Sequence, residues 1–319
     1  MHGIWFVLTS EKIVDMGKKP AAIFSLIIIL AFMAYMIYDA ARGSGGTDKQ
    51  ELKKAVEYEA DWITERTFSL PTGSLSSVAV AQNGVVFLGG DAFVTALDQN
   101  LGLLWSLETE GKITSLSVTG DTVFAATTET ILLISSAGKL ISEWGPYEGN
   151  SIITSVSSGQ DHVAIADAGN KRLFVLDKAG EVLRMMGQGD EKFIIPSGYF
   201  DAAVSGNTVF AANTGNRRIE TWTTDGRKTT EFGEPGTAPG AFCGCCNPAH
   251  FAVIPQGFVT AEKGINRIKI LDHDGNFVEF VSVKNEFNPS IPLDVASADG
   301  VTIYAANSFD NKLYIFKRK

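Results

Sequence analysis

Residues 154–183 read "TSVSSGQDHVAIADAGNKRLFVLDKAGEVL". Four short alternating or apolar runs are split there by clusters of Gly, Asn, Asp and Lys. That is the signature of consecutive antiparallel strands joined by tight turns. The order is an inner strand, a turn, an apolar second strand, a polar turn, a third strand, an Asp-x-x-Gly turn at Asp177–Gly180 and an outer strand. Moving outward, the same order recurs. It is present in "SSVAVAQNGVVFLGG" at 76–90, "TSLSVTGDTVFAAT" at 114–127 and "FDAAVSGNTVFAANTGNRRIETWTTDGRKT" at 200–229. It returns in "HFAVIPQGFVTAEKGINRIKILDHDGNFVEF" at 250–280 and "LDVASADGVTIYAANSFDNKLYIF" at 293–316. From Asn83 to Asp299 the spacing averages about 43 residues, the size of a four-stranded blade.

The sixth copy stops one strand short at Lys319, and "DWITERTFSL" at 61–70 is a strand with no copy of its own. If that strand completes the last blade, the ring closes and no sheet edge is left open. The expected fold is therefore all-β: a six-bladed β-propeller over residues 59–319, preceded by a single N-terminal transmembrane helix. A β-sandwich does not explain six equal copies.

The helix is expected at 21–38, "AAIFSLIIILAFMAYMIY", which carries no charge. Eighteen residues at about 1.5 Å each reach roughly 27 Å, just enough for a bilayer core. Lys18 and Lys19 precede the run, while Asp39 and Arg42 cancel after it. The positive-inside bias then puts residues 1–20 in the cytoplasm and the propeller in the periplasm or outside the cell, beyond a solvated linker at 39–58. A cleaved signal peptide is the alternative reading of this run. Met16, directly before "GKKP", is an alternative start to Met1.

The net charge of −9 and the lack of a Lys/Arg cluster argue against nucleic-acid binding. All three cysteines fall in "FCGCCNPAH" at 242–250. Cys243, Cys245, Cys246 and His250 form a C-x-C-C-x3-H set of soft and borderline donors suited to zinc, copper(I) or an iron–sulfur cluster. Redox-active thiols and a disulfide staple are the other two readings, and an odd cysteine count leaves one thiol over in either. In a propeller this stretch ends a connector between blades, on the face that also carries the turns between second and third strands. Glu262, Lys263, Asn266 and Arg267 share that face and blade. Asp167, Asn213 and Asn307 occupy corresponding turns as Asx turn formers. Glu makes such turns poorly, so Glu262 is assigned to the cysteine loop. His162 and His273 fall in turns of the opposite face.

"GNKRLFVLDKAGEVL", "GNRRIETWTTDGRKTTEFG" and "GINRIKILDHDGNFVEF" resemble NHL repeats, and "FGEPGTAPGAFCGCCNPAHFAV" resembles the Gly-rich connector of that family with "CGCC" lodged before the proline. The resemblance covers residues 150–316; the first two copies fit as generic blades. It implies a binding scaffold. The "CGCCNP" insertion also resembles that of a bacterial group of membrane-anchored propellers associated with anaerobic redox gene sets. That implies an accessory or electron-transfer subunit of a membrane redox assembly, with a metal ion or iron–sulfur cluster and a protein partner on the connector face. The enzymes with this fold place zinc on several channel histidines, and only His250 is in reach here. A non-catalytic role is therefore expected.

Overall fold

The computed structural model of the chain describes residues 18–43, 58–70, 73–244, 246–265, 267–283, 287–288 and 290–319. Two compact units result, residues 1–57 and 58–319.

In the second unit, six four-stranded antiparallel sheets follow one another along the chain. Blade 1 runs Leu75–Val80, Val86–Gly90, Phe93–Leu97 and Leu103–Glu108, from inner to outer strand. Blades 2, 3, 4 and 5 repeat it, with inner strands at Ser115–Thr119, Ile153–Ser158, Ala202–Ser205 and His250–Ile254. Blade 6 takes its inner three strands from Asp294–Ala296, Thr302–Asn307 and Lys312–Arg318. Its outer strand is Trp62–Ser69, paired antiparallel with Lys312–Arg318 from Trp62↔Arg318 to Ser69↔Lys312. The ring closes as the repeat arithmetic requires.

The six apolar clusters of the core lie one at each blade–blade interface. Val259, Ile268 and Ile270 of blade 5, for example, meet Val295, Ile303, Phe316 and Trp62 of blade 6. Second strands end in small residues such as Ala125–Ala126, Ala211–Ala212 and Ala305–Ala306, all buried. Small side chains there let six sheets converge on the axis. The Asp-x-x-Gly turns are Asx turns: Asp177 Oδ1 accepts from the amides of Ala179 at 2.8 Å and Glu181 at 2.9 Å. In the turns between second and third strands, Lys171, Arg217 and Asn311 hold φ near +56°. The Asn-Lys, Asn-Arg and Asp-Asn pairs of the sequence mark that left-handed step.

The first unit contains a helix, Lys18–Gly43. A helix stands where the membrane span was expected at 21–38. Among the described residues no helix is long and apolar enough to cross a membrane. The side chains from Ile23 to Tyr38 are apolar or uncharged. All of them are exposed. The linker expected at 39–58 and the segment 1–17 fall almost wholly outside the described residues.

Candidate functional site

The connector entering blade 5, residues 233–249, carries the cysteines. Equivalent turn residues show how it is held. In blade 3, Asp167 Oδ1 accepts from the amide of Ile152, and in blade 4 Asn213 Oδ1 accepts from the amide of Ile194, both at 2.9 Å. Each side chain thus ties down the connector that enters its own blade. In blade 5 the same position is Glu262, whose Oε2 accepts from the amide of Cys243 at 3.2 Å. Glu262 thus takes the same part for the cysteine-bearing connector.

Glu262 is fully buried and carries two cations. Arg267 Nε lies 2.5 Å and Lys269 Nζ 3.0 Å from its Oε1. Those cations also reach into the connector: Arg267 donates to the carbonyls of Thr237, Ala238 and Ala241, and Lys269 to those of Pro239 and Ala241. Burial pulls the Lys269 ammonium down to about 8, and Glu262 opposes that pull. Blade 4 builds the same place with charges exchanged: Asn213, Arg218 and Glu220 stand where blade 5 has Glu262, Arg267 and Lys269. That exchange is visible in the sequence as "RIE" against "RIK" in the aligned third strands.

Asn247 finishes the loop. Its Nδ2 donates to the carbonyls of Cys243 at 2.6 Å and Lys263 at 2.7 Å, and its Oδ1 accepts from the Lys263 amide at 2.7 Å. The Asn247–Pro248 peptide is cis. Cys243 is a buried free thiol that burial, and secondarily Glu262, push above the ordinary range. Cys246 is buried as well. Cys245 and Asn266 lie outside the described residues.

His250 does not turn toward the thiols. It belongs to a ring of six aligned positions, one on each inner strand: Ser77, Ser115, Ser155, Asp201, His250 and Asp294. Each sits opposite a small residue at or next to the end of the second strand, as in Ser155↔Ala166, His250↔Ala261 and Asp294↔Ala306. Four of the six accept a hydrogen bond from the backbone of the next blade. Ser115 and Ser155 receive the amides of Val156 and Ala202, and Asp201 and Asp294 receive those of Phe251 and Val78. These bonds stitch the blades together around the axis. His250 Nδ1 stands 3.8 Å from Asp201 and 3.6 Å from Asp294. The Tyr199 ring meets the imidazole edge-on, and Lys263 Nζ lies 5.0 Å from the centroid of the Tyr199 ring. Burial drives both carboxyls upward, Asp294 to about 6, and His250 moderates each.

Among the described residues no group of three His, Cys, Asp or Glu side chains is placed to hold a metal ion. Of the expected ligand set, Cys243 lies beside the Glu262 carboxylate and His250 faces two aspartates. Asp201 and Asp294 were not singled out from the sequence. The signal for them is the ring position itself, serine in three copies and ionisable in the other three.

Asp294 has a measurable consequence. Its carboxyl is raised above the unfolded value of 3.8, so the folded protein binds the extra proton between pH 4 and 6. Its contribution to stability is present below about pH 4 and is lost as pH rises through 6. Asp294→Asn keeps an acceptor for the Val78 amide and removes that dependence. Denaturant titrations are expected to show the variant more stable than the parent at pH 7, by roughly 1–3 kcal/mol, and no more stable at pH 4.

No protein-family model matches the chain, and no curated protein matches it. Solved structures do. The WD40 β-propeller domain of Doa1 superposes with a TM-score of 0.56 at 15% identity, over 78% of this chain and 80% of that one. The Neurospora crassa Pan2 WD40 domain gives 0.55 at 12% identity, over 81% and 95%. The likeness is one of fold. It supports the propeller and does not extend to NHL repeats or to a membrane-anchored type.

Proposed function

We propose that this chain is a non-catalytic propeller scaffold whose connector face docks a protein partner, with the cysteine-bearing connector as the recognised feature. The observation that carries the reading is the buried Glu262–Arg267–Lys269 cluster. Three charged side chains are withdrawn from water to fix one surface loop, which is costly unless the loop's shape matters. Loops held on a rigid scaffold are where binding sites collect. Zinc, copper or an iron–sulfur cluster has no part in this reading, because neither Cys243 nor His250 is set up as a ligand.

A membrane tether belongs to the same reading. The side chains Ile23–Tyr38 carry no charge and are exposed all round the helix. A helix without a polar face belongs in an apolar phase. Lys18 and Lys19 then mark the cytoplasmic end, and the propeller stands on the other side as part of a membrane complex.

The test is site-specific photo-crosslinking in source membranes washed with alkaline carbonate. The chain is expected to stay with the membrane pellet. Probes at Gln188 and Lys263, on the connector face, are expected to give one shared adduct that a probe at Asp274, on the other face, does not. Asn247→Ala, which frees the loop, is expected to abolish it. Equal adducts from both faces overturn the docking assignment. Release by carbonate overturns the tether. Stoichiometric metal on the full chain, lost in Cys243→Ser, overturns the exclusion of a metal.

A further inference from the structure

The six inner strands enclose an axial channel of about 650 Å³, within the range of small-ligand sites. Its wall is neutral and hydroxyl-rich: Ser117, Thr119, Ser157, Ser158 and Ser205 alternate with alanines and valines. The ionisable residues that line it are Asp121, Asp201 and Asp294, and no Lys, Arg or His side chain lines it among the described residues. Asp201 and Asp294 stand at one end, at the ring level. Asp121 stands at the other, in the turn that follows the inner strand of blade 2. Ser115 shares the ring level with Asp201, so the inner strand from Ser115 to Asp121 sets the separation, roughly 20 Å at strand rise. His250 stands between Asp201 and Asp294 in the ring order, at ion-pair distance from both and beyond hydrogen-bond reach. One oxygen of Asp294 therefore faces it without a hydrogen bond from it.

We propose that the axial channel binds a linear polyamine lengthwise, one ammonium end against Asp201 and Asp294 and the other near Asp121, with its methylenes along the hydroxyl and alanine wall. The chemistry is complementary at each level. Carboxylates at both ends and the lack of any lining cation repel anions. A neutral wall lets an alkyl chain pass, and its hydroxyls accept from amines between the ends. Two buried carboxylates that feel each other's charge across His250 resist ionisation together. An ammonium group relieves both their burial and their mutual repulsion, which His250 at 3.6–3.8 Å does only in part. The site is separate from the connector loop and does not depend on a partner docking there.

Isothermal titration of the purified full chain with spermine, a linear tetra-amine, tests this at pH 7.5. A one-to-one isotherm is expected, with no heat from tetraethylene glycol, a neutral chain of similar reach. Asp201→Asn with Asp294→Asn keeps acceptors for the Phe251 and Val78 amides and is expected to weaken spermine at least tenfold. Asp121→Asn, at an exposed turn that bears no packing, is expected to weaken it severalfold without altering the melting temperature. Unchanged affinity in both variants means adsorption on an acidic surface and overturns the proposal. So does equal binding of the neutral chain, or no heat from spermine at millimolar concentration. If the double variant fails to fold, Asp121→Asn decides alone: undiminished binding there sinks the lengthwise fit.

Discussion

A chain that begins at residue 71, lacking the strand Trp62–Ser69, is expected to lose most of its folding stability and to gather into oligomers. The strand pairs with Lys312–Arg318 over the full length of the outer edge of blade 6. Trp62 is 3% exposed and packs between blades 5 and 6, and Phe68 lies against the cluster between blades 6 and 1. Removing a buried Trp costs about 3–5 kcal/mol by itself. The backbone bonds of the strand and the half-buried Phe68 add to that. Domains of this size are stable by only ~5–15 kcal/mol, so the deletion takes a large share of the whole. It also bares the edge of Lys312–Arg318, a template for pairing with other chains. Trp62→Ala is expected to lose roughly 3–5 kcal/mol in a denaturant titration and remain monomeric. A synthetic peptide of residues 60–71 added to the deleted chain is expected to raise its melting temperature and suppress the oligomers. If the deleted chain melts like the parent and stays monomeric, closure by this strand contributes nothing to the fold.

The reason that strand could be placed from sequence is topological. Six copies with one strand missing at the end and one extra at the start have a single economical solution, and residues such as Asp177, Asp272 and Asn213 mark the turns in each copy. The blade interfaces were equally legible, because alternation fixes which side chains enter them. The site was legible only in part. Glu262 stood out because its counterparts in the other copies are Asp and Asn, and its role is theirs: it holds the connector that enters its own blade. His250 misled for a physical reason. It is four residues from Cys246 in sequence, but it opens the inner strand of blade 5 while the cysteines belong to the connector. Once in the strand, its direction is set by the ring, and Asp201 and Asp294, from blades 4 and 6, become its neighbours. Pairs separated by 49 and 44 positions cannot be read from local spacing. A helix over 21–38 followed from composition, and the structure extends it to Lys18–Gly43.

Replacing Glu262 by Ala is expected to cost about 3–5 kcal/mol, the range for breaking a buried ion pair by removing one partner. The change leaves Arg267 at 5% and Lys269 at 0% side-chain exposure without their carboxylate, and frees the amide of Cys243. The penalty is limited by proton release. Burial already holds Lys269 at about 8 with Glu262 opposing it, so without that carboxylate the ammonium gives up its proton at lower pH still. The loss in stability is therefore expected to be larger at pH 6.5 than at pH 8.5, where the lysine escapes the cost of an unpaired charge by becoming neutral. Blade 4 supplies the rescue. Glu262→Asn together with Lys269→Glu reproduces the pattern of Asn213 and Glu220 around the same arginine position. The pair is expected to recover more than half of the lost stability, since Arg267 regains a carboxylate. It is not expected to restore the connector, because Asn is too short to reach the Cys243 amide and Glu at 269 cannot donate to the carbonyls of Pro239 and Ala241. Limited proteolysis between residues 237 and 247 then stays fast in the double variant while its melting temperature returns. Stability and loop protection recovering together would show that the cluster supports the blade and not the connector, and a loss below about 1 kcal/mol for Glu262→Ala would show that the three charges do neither.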